Sequence, residues 1–127
     1  MESTNQSEPQ DIRKRVYAYA LRAIRVYRYL QKRRDGAGWI LGKQYLRAAT
    51  SIGANIEEAQ ASESRADFAH KMGIAQKEAR ESLYWLRLIA DSHVASNSLF
   101  RELTQETNEL IAVITAIVVN TKLGKVA

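Results

Sequence analysis

The sequence predicts an all-α protein, an antiparallel up-down-up-down four-helix bundle. Four segments have apolar residues that recur at alternating steps of three and four, and the 127 residues include only six glycines and one proline. Apolar residues at this spacing lie along one face of an α-helix, and glycine and proline are the residues that interrupt long helices. Short loops between four such helices place consecutive helices side by side in opposite directions.

The first predicted helix begins at a capping pattern, in which Ser7 precedes Pro9. Its apolar seam has 4-3-4-3-4 spacing and consists of Ile12, Val16, Tyr19, Ala23, Val26 and Leu30. We expect the helix to end at residues 35–38, where Gly36 and Gly38 supply the backbone freedom of a tight reversal.

Three further seams continue the pattern. The second helix is predicted from Leu41, Tyr45, Ala48, Ile52, Asn55 and Ala59, with Ile56 alongside. The third helix is predicted from Phe68, Met72, Ala75, Ala79, Ser82, Leu86 and Ile89. The fourth helix is predicted from Leu99, Leu103, Glu106, Leu110, Val113 and Ile117. Each seam repeats every seven residues, as in helices that pack side by side.

The predicted bundle spans residues 11–122, with flexible tails at 1–10 and 123–127. The first ten residues lack the basic and apolar regions of a secretory signal, and no apolar run approaches the roughly 18 residues of a membrane span. The absence of cysteine excludes disulfides, thiolate zinc sites and a cysteine nucleophile. We therefore expect a cytoplasmic protein that has no membrane partner.

Positive charge is concentrated in the first predicted helix. The chain has a net charge of +5, and residues 11–34 carry nine basic residues against Asp11 alone, which gives +8. Such asymmetry favours an anionic partner. Four of the basic residues follow one another at steps of 7, 3 and 7 and are the candidate contacts to RNA or DNA: Arg15, Arg22, Arg25 and Lys32. A solvated face and a surface that docks an acidic protein remain alternative interpretations.

A polar strip lies beside the apolar face of the second helix. Its members follow one another at steps of 4, 4 and 3: Arg47, Ser51, Asn55 and Glu58. The third helix has a matching strip that includes Glu78 and Glu81. We interpret the two strips as one structural network that fixes the register of the helices, as polar seam residues do in helical bundles.

The alternative interpretation of these carboxylates is a di-iron type of metal site. Bundles that hold such a site use Glu-x-x-His pairs, and no glutamate stands three residues before His70 or His93. The serines have no general base at a recognisable spacing. We therefore predict no metal, no cofactor and no enzymatic activity. For Tyr84 and Trp85, packing or an interface is favoured over base stacking.

Two separated motifs resemble a known family. Residues 47–59 read Arg-Ala-Ala-Thr-Ser-Ile-Gly-Ala-Asn-Ile-Glu-Glu-Ala, and residues 77–88 read Lys-Glu-Ala-Arg-Glu-Ser-Leu-Tyr-Trp-Leu-Arg-Leu. Between residues 12 and 120 the chain resembles the four-helix-bundle proteins related to those encoded by intervening sequences in bacterial 23S ribosomal RNA genes. Ala59 departs from the family pattern, because many members have glycine there.

The resemblance implies a homopentamer of bundles and a cytoplasmic location, without an established activity. A distant relative, the accessory protein of diversity-generating retroelements, pairs with a reverse transcriptase and binds nucleic acid, a likeness at the level of the fold. A surplus of apolar residues also favours an oligomer: Leu83, Trp85, Leu88, Ile111, Ile114 and Val118. The sequence therefore predicts a non-catalytic oligomeric scaffold that binds RNA or DNA, with a protein–protein adaptor for an acidic partner as the alternative.

Overall fold

The computed structural model describes residues 9–92 and 98–124. These residues form four α-helices, α1 (Pro9–Lys32), α2 (Gly36–Ala59), α3 (Arg65–Asp91) and α4 (Ser98–Lys122). Each helix packs against the next along the chain, and α1 also contacts α4. The predicted all-α four-helix bundle is confirmed. As far as the described residues extend, no helix combines the length and apolarity that crossing a bilayer requires.

α1 begins at Pro9, two residues before the predicted start of the bundle, and α4 ends at Lys122. Gly124 follows in a turn with a φ of 78°, in the left-handed region that favours glycine. Several predicted features lie outside the described residues: the cap at Ser7 with the tail 1–8, the loop 93–97 with His93, and the tail 125–127.

The loop between α1 and α2 is shorter than predicted. Asp35 is the N-cap of α2, and its carboxylate accepts a hydrogen bond from the backbone N–H of Gly38 at 3.1 Å. This bond satisfies one of the free amide groups at the start of the helix. The expectation that Gly36 and Gly38 form the reversal is therefore wrong, because both lie in the first turn of α2.

The predicted seam of α1 is buried along its whole length, but the buried face of α2 differs from its prediction. Leu41 and Asn55 are only half-buried. Gly42 and Ile56 are buried in their place. A Cβ at position 42 would lie 3.1 Å from Cδ1 of Leu30, so glycine permits a close approach of α1 and α2 there.

α3 begins after Ser64, whose hydroxyl accepts a hydrogen bond from the backbone N–H of Asp67 at 3.0 Å. Its predicted seam is buried from Met72 to Ile89, and Phe68 is half-buried. Small side chains allow helices to approach closely. α2 and α3 together have six buried alanines, Ala48, Ala49, Ala59, Ala69, Ala75 and Ala79.

The buried face of α4 agrees with the prediction at Leu103 and Leu110, and its other four buried residues each lie one position further along the chain than predicted. The prediction places Glu106 on the seam, but its side chain remains 20% exposed, whereas Thr107 is fully buried. Phe100 likewise takes the place of Leu99 in the core. The reason is that Glu106 meets Arg15 of α1 at the edge of the bundle.

Three buried hydroxyl groups form a chain across the core, from α2 through α1 to α4. Tyr45 Oη donates to Tyr19 Oη at 2.9 Å, and Thr107 Oγ1 donates to the carbonyl of Leu103 at 2.6 Å. Tyr19 Oη lies 2.6 Å from Thr107 Oγ1. Because threonine has a single hydroxyl proton, Tyr19 must be the donor in that bond. Burial raises the pKa of both tyrosines.

Candidate nucleic-acid interface

Arg15 and Arg22 of α1 point towards α4. The guanidinium of Arg15 donates to both carboxylate oxygens of Glu106 at 2.8 Å and also pairs with Glu109. The hydrogen bond with Glu106 raises the pKa of Arg15 further above its usual range. Arg22 lies 3.8 Å from Glu102. Half of the predicted stripe of cations is therefore paired with carboxylates of α4.

The other two members of the stripe, Arg25 and Lys32, are exposed. Arg13 pairs with Glu57 of α2 at 3.0 Å, so three of the nine cations in residues 11–34 have a carboxylate partner. The other six have none within the described residues: Lys14, Arg25, Arg28, Lys32, Arg33 and Arg34. Five of these six lie between residues 25 and 34, and we call them the α1 cationic end. Positive charge that carboxylates do not compensate is thus concentrated where α1 ends.

The spacing of the acidic residues of α4 indicates that they can pair with the basic residues of α1. Glu102, Glu106 and Glu109 recur at steps of 4 and 3, which places them on one strip of the helix. The seam predicted for α4 includes one of them, Glu106, and the prediction of an anionic partner rests on the net charge of residues 11–34. In a four-helix bundle the first and last helices are neighbours, so an acidic strip on α4 indicates a partner for basic residues on α1.

The structure brings part of the predicted polar network together. Arg47 Nη1 lies 3.5 Å from Glu78 Oε1, and Arg47 Nη2 pairs with Glu81. The carboxylate of Glu81 also accepts a hydrogen bond from Trp85 Nε1 at 3.0 Å, a contact that the spacing did not predict. The Arg47 side chain is 49% exposed, so these ion pairs contribute about 1 kcal/mol or less to stability.

Three other predicted members of the network do not join it. Ser51 Oγ donates to the carbonyl of Arg47 at 2.7 Å, and Asn55 Nδ2 donates to the carbonyl of Ser51 at 2.8 Å, so both bond within their own helix. Glu58 is exposed, and its carboxylate has no polar partner in the described part of the chain. The expected network of six residues is thus corrected to Arg47, Glu78 and Glu81.

The acidic and basic side chains of α3 lie on different faces of the helix, which was not predicted. Glu78 and Glu81 face α2, where they meet Arg47. Four exposed residues at steps of 3, 4 and 3 form what we call the outer α3 face: Lys77, Arg80, Tyr84 and Arg87. None of the three cations forms an ion pair within residues 9–92 and 98–124. Their helical spacing was a signal that could have identified this face from the sequence.

Titratable side chains do not form a metal site in the parts of the chain that the structure describes. No group of three or more histidine, aspartate or glutamate side chains there is placed to hold a metal ion. His70 is exposed on α3. The side chains that these surfaces present are cations and aromatic rings at helix faces, which suit the binding of anions and π systems.

The fold and these faces define the class of protein: a four-helix bundle with two cationic surfaces. The family model of the 23S rRNA-intervening sequence proteins matches residues 8–116, and the chain belongs to this family. The resemblance drawn from the two motifs is thereby confirmed. No curated protein matches the chain.

A solved structure is similar over most of the chain. It is that of a protein of unknown function from the S23 ribosomal protein family of Bacteroides thetaiotaomicron. The sequence identity is 33% and the TM-score is 0.78, over 87% of this chain and 96% of that chain. The match extends the family assignment to the arrangement of the four helices.

Proposed function

We propose that this chain is a non-catalytic cytoplasmic scaffold that binds the phosphate backbone of RNA or DNA through the α1 cationic end. The observation that supports this most is that all five of its cations lack a carboxylate partner among the described residues. Unpaired lysines and arginines bind polyanions because they displace counterions from the phosphates. Arg25 and Lys32 are the direct contacts, whereas Arg15 and Arg22 are held by carboxylates of α4.

The proposal can be tested with two triple variants that remove the same charge from the same helix. Arg25→Gln/Arg28→Gln/Lys32→Gln changes unpaired cations and should weaken binding to a random-sequence duplex. The slope of log affinity against log salt should flatten by roughly 0.9 for each phosphate that the variant no longer neutralises. Fluorescence anisotropy from about 50 to 200 mM salt measures both quantities. Glutamine maintains helix propensity, so the fold should persist.

The matched control is Arg13→Gln/Arg15→Gln/Arg22→Gln, which removes the paired cations of α1. It should retain most of the affinity and the salt slope, because these side chains already bind carboxylates. Equal reductions of affinity in the two variants would show that only net charge matters and would contradict the assigned contacts. If the wild type binds no RNA or DNA at about 50 mM salt, where screening is weak, the proposal is wrong. An adaptor that docks an acidic protein then becomes the better interpretation.

We also propose the up-down-up-down order of the helices. Arg13 near the start of α1 pairs with Glu57 near the end of α2. Tyr29 near the end of α1 lies 6.4 Å, between ring centroids, from Phe100 near the start of α4. Both contacts support opposite directions for neighbouring helices.

A homopentamer, which the resemblance implies, is the assembly that we propose. The surplus apolar residues expected to form its interface are not freely exposed. Ile114 and Val118 belong to the core, and four others are half-buried: Leu83, Trp85, Leu88 and Ile111. α1 and α2 instead have four large exposed side chains: Tyr17, Leu21, Trp39 and Ile40. Exposed apolar surface of this kind favours an interface. In a ring, the α1 cationic end would be repeated in every copy, which multiplies weak phosphate contacts.

The variant Leu21→Glu/Ile40→Glu should dissociate this assembly. Carboxylates placed in an apolar interface without partners are costly to desolvate, so a smaller species should form. Sedimentation velocity at micromolar concentration measures the change. Val119→Glu on α4, where the side chain is 48% exposed, is the matched control and should leave the assembly intact. A wild type that sediments as a monomer contradicts the proposal.

A further inference from the structure

The outer α3 face combines an exposed aromatic ring with unpaired cations. Tyr84 is 55% exposed, and Arg80 and Arg87 lie one helical turn before and after it. Lys77 precedes Arg80 by a further turn, so the face extends over about 15 Å at the helical rise of 1.5 Å per residue. Aromatic rings between cations are typical of surfaces that bind single-stranded nucleic acids, on which bases stack while phosphates are neutralised.

The ring of Tyr84 is supported by fixed neighbours. Its centroid lies 5.1 Å from that of Trp85, and the two rings meet edge to face at 69°. Trp85 packs against the core and donates its Nε1–H to Glu81, which in turn pairs with Arg47. The chain of contacts therefore runs from α2 to the exposed ring. A ring held in this way loses little conformational freedom when a base stacks on it.

The positive surface continues towards the start of α3. A groove between α3 and α4 is lined by Lys77, His70 and Lys122. Gly73 also lines the groove, and a Cβ built on it would meet no atom within 4 Å, so the groove is open at that point. A strand that contacts Arg80 and Lys77 can therefore extend along this groove with Lys122 beside it.

We propose that the outer α3 face binds single-stranded RNA or DNA, with one unpaired base stacked on Tyr84 and phosphates at Lys77, Arg80 and Arg87. Paired bases in a duplex are stacked on each other, so an exposed tyrosine selects unpaired ones. The inference goes beyond the backbone contacts assigned to α1. α3 packs against α2 and α4, so this surface and the α1 cationic end lie on different sides of the bundle.

The test uses the full chain and a short labelled oligothymidylate. Tyr84→Ala should weaken binding roughly ten-fold, which lies within the range that stacking of one base contributes. Tyr84→Phe retains the ring and should bind like the wild type. Lys77→Gln/Arg80→Gln/Arg87→Gln should flatten the salt dependence. Equal urea midpoints for all variants show that the fold is unchanged.

An abasic oligonucleotide of the same length is the matched ligand control. It has the phosphates without the bases, so wild type and Tyr84→Ala should bind it equally. The effect of Tyr84→Ala on oligothymidylate should also persist in the Arg25→Gln/Arg28→Gln/Lys32→Gln background. The two proposals therefore fail in different ways. If the α1 proposal is wrong, the triple variant binds as tightly as the wild type; if this one is wrong, adding Tyr84→Ala to the triple variant has no effect on binding.

Trp85 provides a second readout. In a Trp39→Phe background it is the remaining tryptophan, and its fluorescence should change as oligothymidylate is added, because the base stacks on the adjacent ring. The proposal is overturned if Tyr84→Ala binds oligothymidylate as tightly as the wild type, or if its affinity for the abasic strand falls by the same factor. Absence of binding by the wild type at low salt overturns it as well, and capture of an acidic protein by the same face would then assign a protein partner.

Discussion

Tyr19→Phe should lower the free energy of unfolding by about 1–3 kcal/mol, although it removes a single oxygen atom. Tyr19 Oη is the middle of the hydroxyl chain: it accepts from Tyr45 and donates to Thr107. Without it, the buried hydroxyl of Tyr45 has no acceptor and Thr107 has no donor. A buried polar group without a partner retains the cost of its desolvation, and both phenols are fully inside the bundle.

Tyr45, at one end of the chain of hydroxyl groups, supplies the controls for this prediction. Tyr45→Phe removes only the first donor, so Tyr19 still donates to Thr107, and the decrease should be that of a single hydrogen bond, about 0.5–1.5 kcal/mol. The double variant Tyr19→Phe/Tyr45→Phe leaves no phenol without an acceptor. Its urea midpoint should therefore equal or exceed that of Tyr19→Phe alone. Additive decreases in this double-mutant cycle would show that the hydroxyls are not coupled.

The sequence predicts the whole buried face of α1 and, apart from Phe68, that of α3, including the buried Ser82. It misses core positions such as Thr107 and Gly42, whose burial depends on a neighbouring helix. Thr107 is buried because it bonds to Tyr19, and Gly42 is buried because α1 approaches α2 closely there. Both reasons depend on a second helix, and the periodicity of one helix has no information about its neighbours.

The same limit applies to the charged residues. Arg47, Glu78 and Glu81 were assigned to one network from their spacing, and the structure brings these three together. Arg15 and Arg22 have a similar spacing, yet α4 determines that they are paired. Spacing identifies which side chains share a face of one helix. Whether that face meets carboxylates or solvent is decided by the rotation of each helix in the bundle. For α4 the predicted seam is displaced by one position at four of its six residues.

High pH should unfold this protein through the same two tyrosines. Burial raises the pKa of Tyr19 and Tyr45 above the ordinary value of 10.0. Above that pH the unfolded chain releases phenol protons that the folded state retains, so the unfolded state binds fewer protons and stability falls as pH rises. Each phenol contributes up to about 1.4 kcal/mol per pH unit, or about 2.7 for both. Their contribution is fully present below pH 10 and is lost as the pH rises towards the folded pKa values.

Urea midpoints measured between pH 9 and pH 11.5 test this prediction, with tyrosinate absorbance followed in the same samples. The variant Tyr19→Phe/Tyr45→Phe has no buried phenol from this pair, so its stability should depend less steeply on pH above 10 than that of the wild type. Tyr17→Phe is the matched control, because Tyr17 is 69% exposed and should leave the alkaline slope unchanged. If the wild type and the double variant lose stability in parallel, the two buried tyrosines are not the cause of alkaline unfolding. The hydroxyl chain would then have to open to solvent before the bundle unfolds.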